Sequence, residues 1–119
     1  MFFGPQRGES YMPLIYNELS SDSIVSLQEW YKSQCNSDWE HHYGISIESL
    51  DNPGWLIKID LTGTNMEEKT FSPLKEGENR KEKWIDVQKV GNVFQGAGDA
   101  DKLGIIIGIF MNWVSTQRV

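Results

Sequence analysis

Cysteine is almost absent: Cys35 stands alone among 119 residues. One thiol cannot close an internal disulfide or complete a zinc ribbon, so both scaffolds are excluded and a reducing compartment is expected. Long apolar runs are missing as well. The strongest, Leu103 to Val114, is 12 residues long, against about 20 needed to cross a bilayer. The opening MFFGPQRGES has no basic stretch leading into a long apolar run and a small-residue cleavage site, as a secretory signal would. The cytoplasm is therefore the expected location, with no membrane partner. Basic residues are scarce in the first half. From Glu9 to Glu68 there are eleven acids against Lys32 and Lys58. Such a field repels phosphate backbones, which argues against nucleic acid as a partner, and it steers a basic protein inward. From Lys69 to Val90 the balance turns mildly positive, with six bases against four acids.

Aromatic residues, by contrast, are concentrated. Between Trp30 and Trp55 lie three Trp, two Tyr, Cys35 and both His of the chain, beside Asp38, Glu40, Glu48 and Asp51. A chain of this length forms one domain with one modest core, so this density points to a surface or a site. Residues 1–19, with Gly4, Pro5, Gly8 and Pro13, show no clear period and are expected to form an N-terminal extension. The domain is expected to span residues 20–119.

The spacing predicts a helix capped by Ser20, Ser21 or Asp22 and running to about Cys35, with Ile24, Leu27, Tyr31 and Cys35 on its apolar face and Trp30 on the flank. Asn36, Ser37 and Asp38 break it. Ile45 and Ile47 then alternate with Ser46 and Glu48, Asp51-Asn52-Pro53-Gly54 supplies a turn, and Trp55, Ile57, Ile59 and Leu61 alternate with Leu56, Lys58 and Asp60, which reads as an antiparallel hairpin. A third strand is expected over Lys69–Leu74, a solvated turn over Glu76–Lys83, and strands over Trp84–Val90 and Val93–Gln95 joined by Gly91-Asn92. Gly96, Gly98 and Asp99 are expected to end the sheet. A last helix should start near Asp99–Asp101, with those carboxylates as caps and with Leu103, Ile106, Ile107, Phe110, Trp113 and Val114 on its buried face. Gly104 and Gly108 read as positions of close backbone packing. The order of elements predicts a single α+β domain, an antiparallel sheet of four to five strands with an N-terminal and a C-terminal helix packed on it.

The residues offer several chemistries. Asp38, Glu40, His41 and His42 carry the groups of a metal-dependent or acid/base enzyme, since imidazole titrates near neutrality and a carboxylate can orient it. On an extended segment, however, His41 and His42 point to opposite sides, and no HExxH spacing is present. Cys35 on an apolar helix face behaves as a small hydrophobe. Gly96-Ala97-Gly98 lacks the further glycines and the lysine of a nucleotide loop, and Asp99 and Asp101 would repel an anion there. A small-ligand-binding module would need an apolar cavity between sheet and helices. Trp84 and Trp113 read as core, whereas Trp39, set between two acids, fits either the core or a protein contact.

LQEWYKSQCNSDWEHHYGISIESLDNPGWLIKIDLTGT, Leu27 to Thr64, resembles the signature of the immunity 53 family of bacterial polymorphic toxin systems. The shared features are a helix ending in WY and QC, then DWEH and YG, then LDNPGW and an IDL strand. FQGAG, Phe94 to Gly98, and Ile109, Phe110 and Trp113 are similar to that family's end, so the resemblance covers residues 24 to 114. In place of acids between the aliphatics of the last helix, this chain has Gly104 and Gly108. The resemblance implies a small immunity protein that binds a cognate toxin domain and neutralises it, with no enzymatic activity and no cofactor. A basic toxin, for instance a nuclease, would suit the acidic field. Asp38, Trp39, Glu40, His41, Tyr43, Glu48, Asp51 and Asp60 are the candidate contacts, and Asn52, Pro53 and Gly54 are expected to make only a turn.

Overall fold

The computed structural model describes residues 12–77 and 83–117, with backbone alone over 12–21. The expected solvated turn over Glu76–Lys83 and the first part of the expected extension therefore lie largely outside the described residues. The elements are α1 (Met12–Gln34), α2 (Trp39–His42), β1 (Ile45–Leu50), β2 (Gly54–Asp60), β3 (Leu74–Glu76), β4 (Ile85–Val90), β5 (Val93–Gly98) and α3 (Leu103–Thr116). The five strands form one antiparallel sheet in the order β1-β2-β5-β4-β3. This is the α+β domain expected.

The alternation read in the sequence sets the two faces of the sheet. Ile57, Ile59 and Leu61 of β2 and its extension are fully buried, as are Phe94 of β5 and Val87 of β4. Facing them, α3 buries Ile106, Ile107, Phe110, Trp113 and Val114 at the spacing of one helical face. Each such aliphatic or phenyl group contributes about 1.5–3 kcal/mol by leaving water. The rings also order themselves: Phe94 meets Phe110 edge-on at 4.9 Å, and Phe71 meets Trp113 edge-on at 5.3 Å. β5 runs through Gly98 rather than stopping at Gln95. Glycine at 96 is what lets α3 come down on the strand, because a Cβ there would collide with Ile106 Cγ2.

Several expectations are corrected. The helix expected from Ser20 is already formed at Met12, so Ser20, Ser21 and Asp22 lie inside α1 and not at its start. Its buried stripe is also rotated. Leu27 and Trp30 are buried, while Ile24 and Tyr31 are 49% and 37% exposed. Contact with α3 decides the rotation: Trp30 meets Phe110 edge-on at 5.0 Å. Gly108 faces α1, but a Cβ there would meet Ser23 Oγ at 3.5 Å, an ordinary contact, so the expected close backbone packing does not require glycine at this position. The third strand is Leu74–Glu76, not Lys69–Leu74. Upstream of it the backbone finds side-chain partners instead of a ladder. Lys89 Nζ donates to the carbonyls of Glu67 and Lys69 at 2.6 and 2.7 Å, and Trp113 Nε1 donates to the Thr70 carbonyl at 2.8 Å. Finally, α3 begins at Leu103 with no side-chain cap, because Asp99 is engaged across the sheet end instead.

Candidate functional site

The aromatic, acidic segment after α1 is built by a compact exchange of hydrogen bonds. Ser37 takes a positive φ of 74°, which turns the chain out of the helix. Asn36 Oδ1 accepts the N–H groups of Asp38 and Trp39 at 3.0 and 2.9 Å. Glu40 reaches back, its carboxylate accepting the N–H groups of Asn36 and Ser37 at 2.9 and 2.8 Å. The carboxyl of Glu40 is held below its ordinary value, first by its own backbone N–H and then by those of Asn36 and Ser37. Ser37-Asp38-Trp39-Glu40 is an S-x-x-E sequence, a pattern found at helix starts, and Glu40 accepts the Ser37 N–H just ahead of the N-cap Asp38. That spacing was the available sign that residues 39–42 form a helical turn and not the extended segment expected.

The turn puts Trp39 inside. It is 4% exposed and meets Trp30 edge-on at 6.0 Å. Of the two readings open for Trp39, the structure places it in the core, and Glu40 serves the turn. Asp38, His41, His42 and Tyr43 stay exposed around them. His42 Nδ1 lies 3.0 Å from the Asp38 carbonyl and 3.5 Å from its carboxylate.

Asp60 joins this end of the molecule. Its N–H donates to the Gly44 carbonyl at 3.0 Å, and its Oδ1 accepts the Thr62 N–H at 3.0 Å. Glu48 sits exposed halfway along β1, opposite Leu56. Asp51 lies past the other end of β1, in the turn containing the cis Asn52–Pro53 bond. At about 3.3 Å per residue, the strand separates Asp51 from the Asp60 end by roughly 20 Å. The expected contacts therefore do not converge. Asp38, His41, Tyr43 and Asp60 gather at one end, Glu48 follows and Asp51 closes the series, all along the β1 side of the sheet.

Among the described residues no three His, Cys, Asp or Glu side chains come together so as to hold a metal ion. A groove of about 530 Å³ runs between α1 and α3, lined by Glu29, Trp30, Met111 and Asn112 among others, and one of about 420 Å³ lies between residues 70–74 and α3. Neither is lined by His41 or His42. The sheet face that α3 does not cover was not singled out from the sequence, although the strand alternation contained it. Across it run Glu48, Leu56, Ala97, Asp86 and Lys75 in one row and Ser46, Lys58, Gln95 and Gln88 in the next.

The profile of the family described as Immunity protein 53 matches residues 24–115. The chain belongs to that family. The matched span enters within α1 and ends within α3, so it takes in the whole sheet, the Asn36–Glu40 turn and the packed helix pair of this Immunity protein 53 member. No curated protein and no solved structure matches the chain. No described helix is long and apolar enough to cross a membrane.

Proposed function

We propose that this Immunity protein 53 member binds a cognate toxin domain in the cytoplasm and neutralises it by covering a basic surface, without catalysing a reaction of its own. The observation that carries the reading is the linear array of exposed acids, Asp38, Glu48 and Asp51 with half-buried Asp60, on the β1 side of the sheet. Acids outnumber the one exposed base, Lys58, along this side, and with exposed His41 and Tyr43 at one end they suit contact with an extended, positively charged surface. Catalysis would instead call for groups gathered around one point. A nuclease fits as target, since its own site must attract phosphate. Within the strip, Trp39 and Glu40 act by shaping the turn that presents Asp38, His41 and Tyr43.

Co-expression with the toxin domain encoded beside this chain tests the reading. Rescue of growth, together with a complex of the two purified proteins, is the expected result. Unimpaired toxicity in the presence of the folded chain would sink it.

A further inference from the structure

The hydrogen bonds around β2 reveal which backbone groups of β1 point away from it. Leu61 N–H donates to the Asn92 carbonyl at 2.7 Å, on the β5 side, while Asp60 N–H donates to the Gly44 carbonyl at 3.0 Å, on the β1 side. In an antiparallel ladder this alternation repeats every second residue. With Ile45 opposite Ile59, the residues of β1 that bond to β2 are Ser46, Glu48 and Leu50. The N–H and C=O groups of Ile45, Ile47 and Ser49 therefore point away from β2, along an edge that no other described strand pairs.

This edge carries one charge, Glu48, and few of the other usual protections. β1, ISIESL, keeps continuous register with β2 over six residues and contains no proline, lysine or bulge. The opposite edge, β3, is three residues long and follows Pro73. Ile47 lies on the α3 side of the sheet and is 44% exposed, so apolar surface accompanies the open backbone groups.

We infer that β1 is the docking edge for an extended, basic strand of the neutralised protein, which adds to the sheet as a sixth strand. Backbone bonds to Ile45, Ile47 and Ser49 would supply affinity, an apolar side chain of the incoming strand would cover Ile47, and lysine or arginine side chains would meet Glu48 on the other face and Asp38 and Asp51 at the ends. Charge favours this occupant over a second copy, which would bring the same acids and a net charge of −6 against themselves. The inference rests on the immunity reading and specifies how the partner binds.

The test is hydrogen exchange and binding with the toxin domain encoded beside this chain, made in a catalytically inactive form. In the free protein the amides of Ile45, Ile47 and Ser49 should exchange quickly, and in the complex they should be protected. Ile47→Pro removes an outward N–H without removing a bond to β2, so the fold should persist, while affinity should fall by at least about tenfold, the loss of roughly one net hydrogen bond with its packing. Ile47→Val should bind as the parent does. If the parent neither binds nor neutralises, the immunity reading fails and the docking edge with it. If the parent binds while these three amides stay unprotected, the edge assignment alone is overturned. Protection that grows with concentration in the free protein, with a dimer mass, would assign the edge to a second copy and overturn it too.

Discussion

Asp99 and Trp84 clasp each other where β5 ends and β4 begins: Trp84 N–H donates to Asp99 Oδ2 at 2.8 Å, and Asp99 N–H donates to the Trp84 carbonyl at 3.1 Å. The same carboxylate takes Lys102 Nζ at 2.6 Å and, through Oδ1, the Asp101 N–H at 2.9 Å. One buried side chain thus ties the sheet end to the start of α3. Burial pushes the Asp99 carboxyl up, but Lys102 and the two N–H groups outweigh it and hold the group at about 2.

A carboxyl depressed in the folded state stabilises the fold above its unfolded value of about 3.9, and that contribution is lost as pH falls through about 2. Denaturant unfolding should therefore show stability declining across this acid window. Asp99→Asn should remove the Asp99 part of that slope and cost about 2 kcal/mol at neutral pH, the scale of lost charged hydrogen bonds. An unchanged slope in the variant would show that other carboxyls carry the acid sensitivity.

Gly96 of β5 lies directly under Ile106 of α3. Gly96→Ala would set a methyl against Ile106 Cγ2 and should destabilise the protein by about 1–3 kcal/mol through overpacking. Ile106→Leu removes that β-branch, so the glycine substitution should cost less in the leucine background. A double-mutant cycle on unfolding free energies reads the coupling, and strict additivity would contradict the contact.

The Asn36–Glu40 turn makes a third prediction. Glu40→Ala should lower the thermal midpoint by taking the acceptor from two N–H groups, whereas Trp39→Ala should cost about 3–5 kcal/mol as a buried ring. Both should slow toxin association only as far as they loosen the turn that presents Asp38, His41 and Tyr43, with the charge lost at Glu40 in addition. A Trp39 variant that keeps full stability and loses binding would return that ring to the interface.

Periodicity made most of the sheet legible. Ile57, Ile59 and Leu61 alternate without interruption, and α3 displays a face wide enough to leave no ambiguity, so both elements could be read directly. Side-chain competition hid the rest. The residues before β3 have strand-like composition, yet Lys89 and Trp113 capture their carbonyls from distant elements, which no local pattern announces. On α1, two stripes share Leu27, and only the position of Phe110 on another helix decides for Trp30 over Tyr31. The acidic strip was visible as composition. Its linear order along β1 depends on the register of the hairpin and on Asp60 meeting Gly44.

That order decides which charges can be reversed cleanly. Glu40 and Asp60 accept backbone N–H groups, so lysine at either position would disturb a turn as well as the field. Asp38, Glu48 and Asp51 are exposed, and lysine at each changes charge without taking a backbone acceptor. The triple variant Asp38→Lys, Glu48→Lys, Asp51→Lys should keep its thermal midpoint and associate with the toxin domain about ten- to a thousandfold more slowly at low ionic strength. The gap should narrow as salt rises and the Debye length shrinks to about 3 Å at 1 M. Stopped-flow association rates across a salt series measure this. A salt-independent rate equal to the parent's would show that the acids do not steer the encounter, and capture would then rest on the β1 backbone and Ile47 alone.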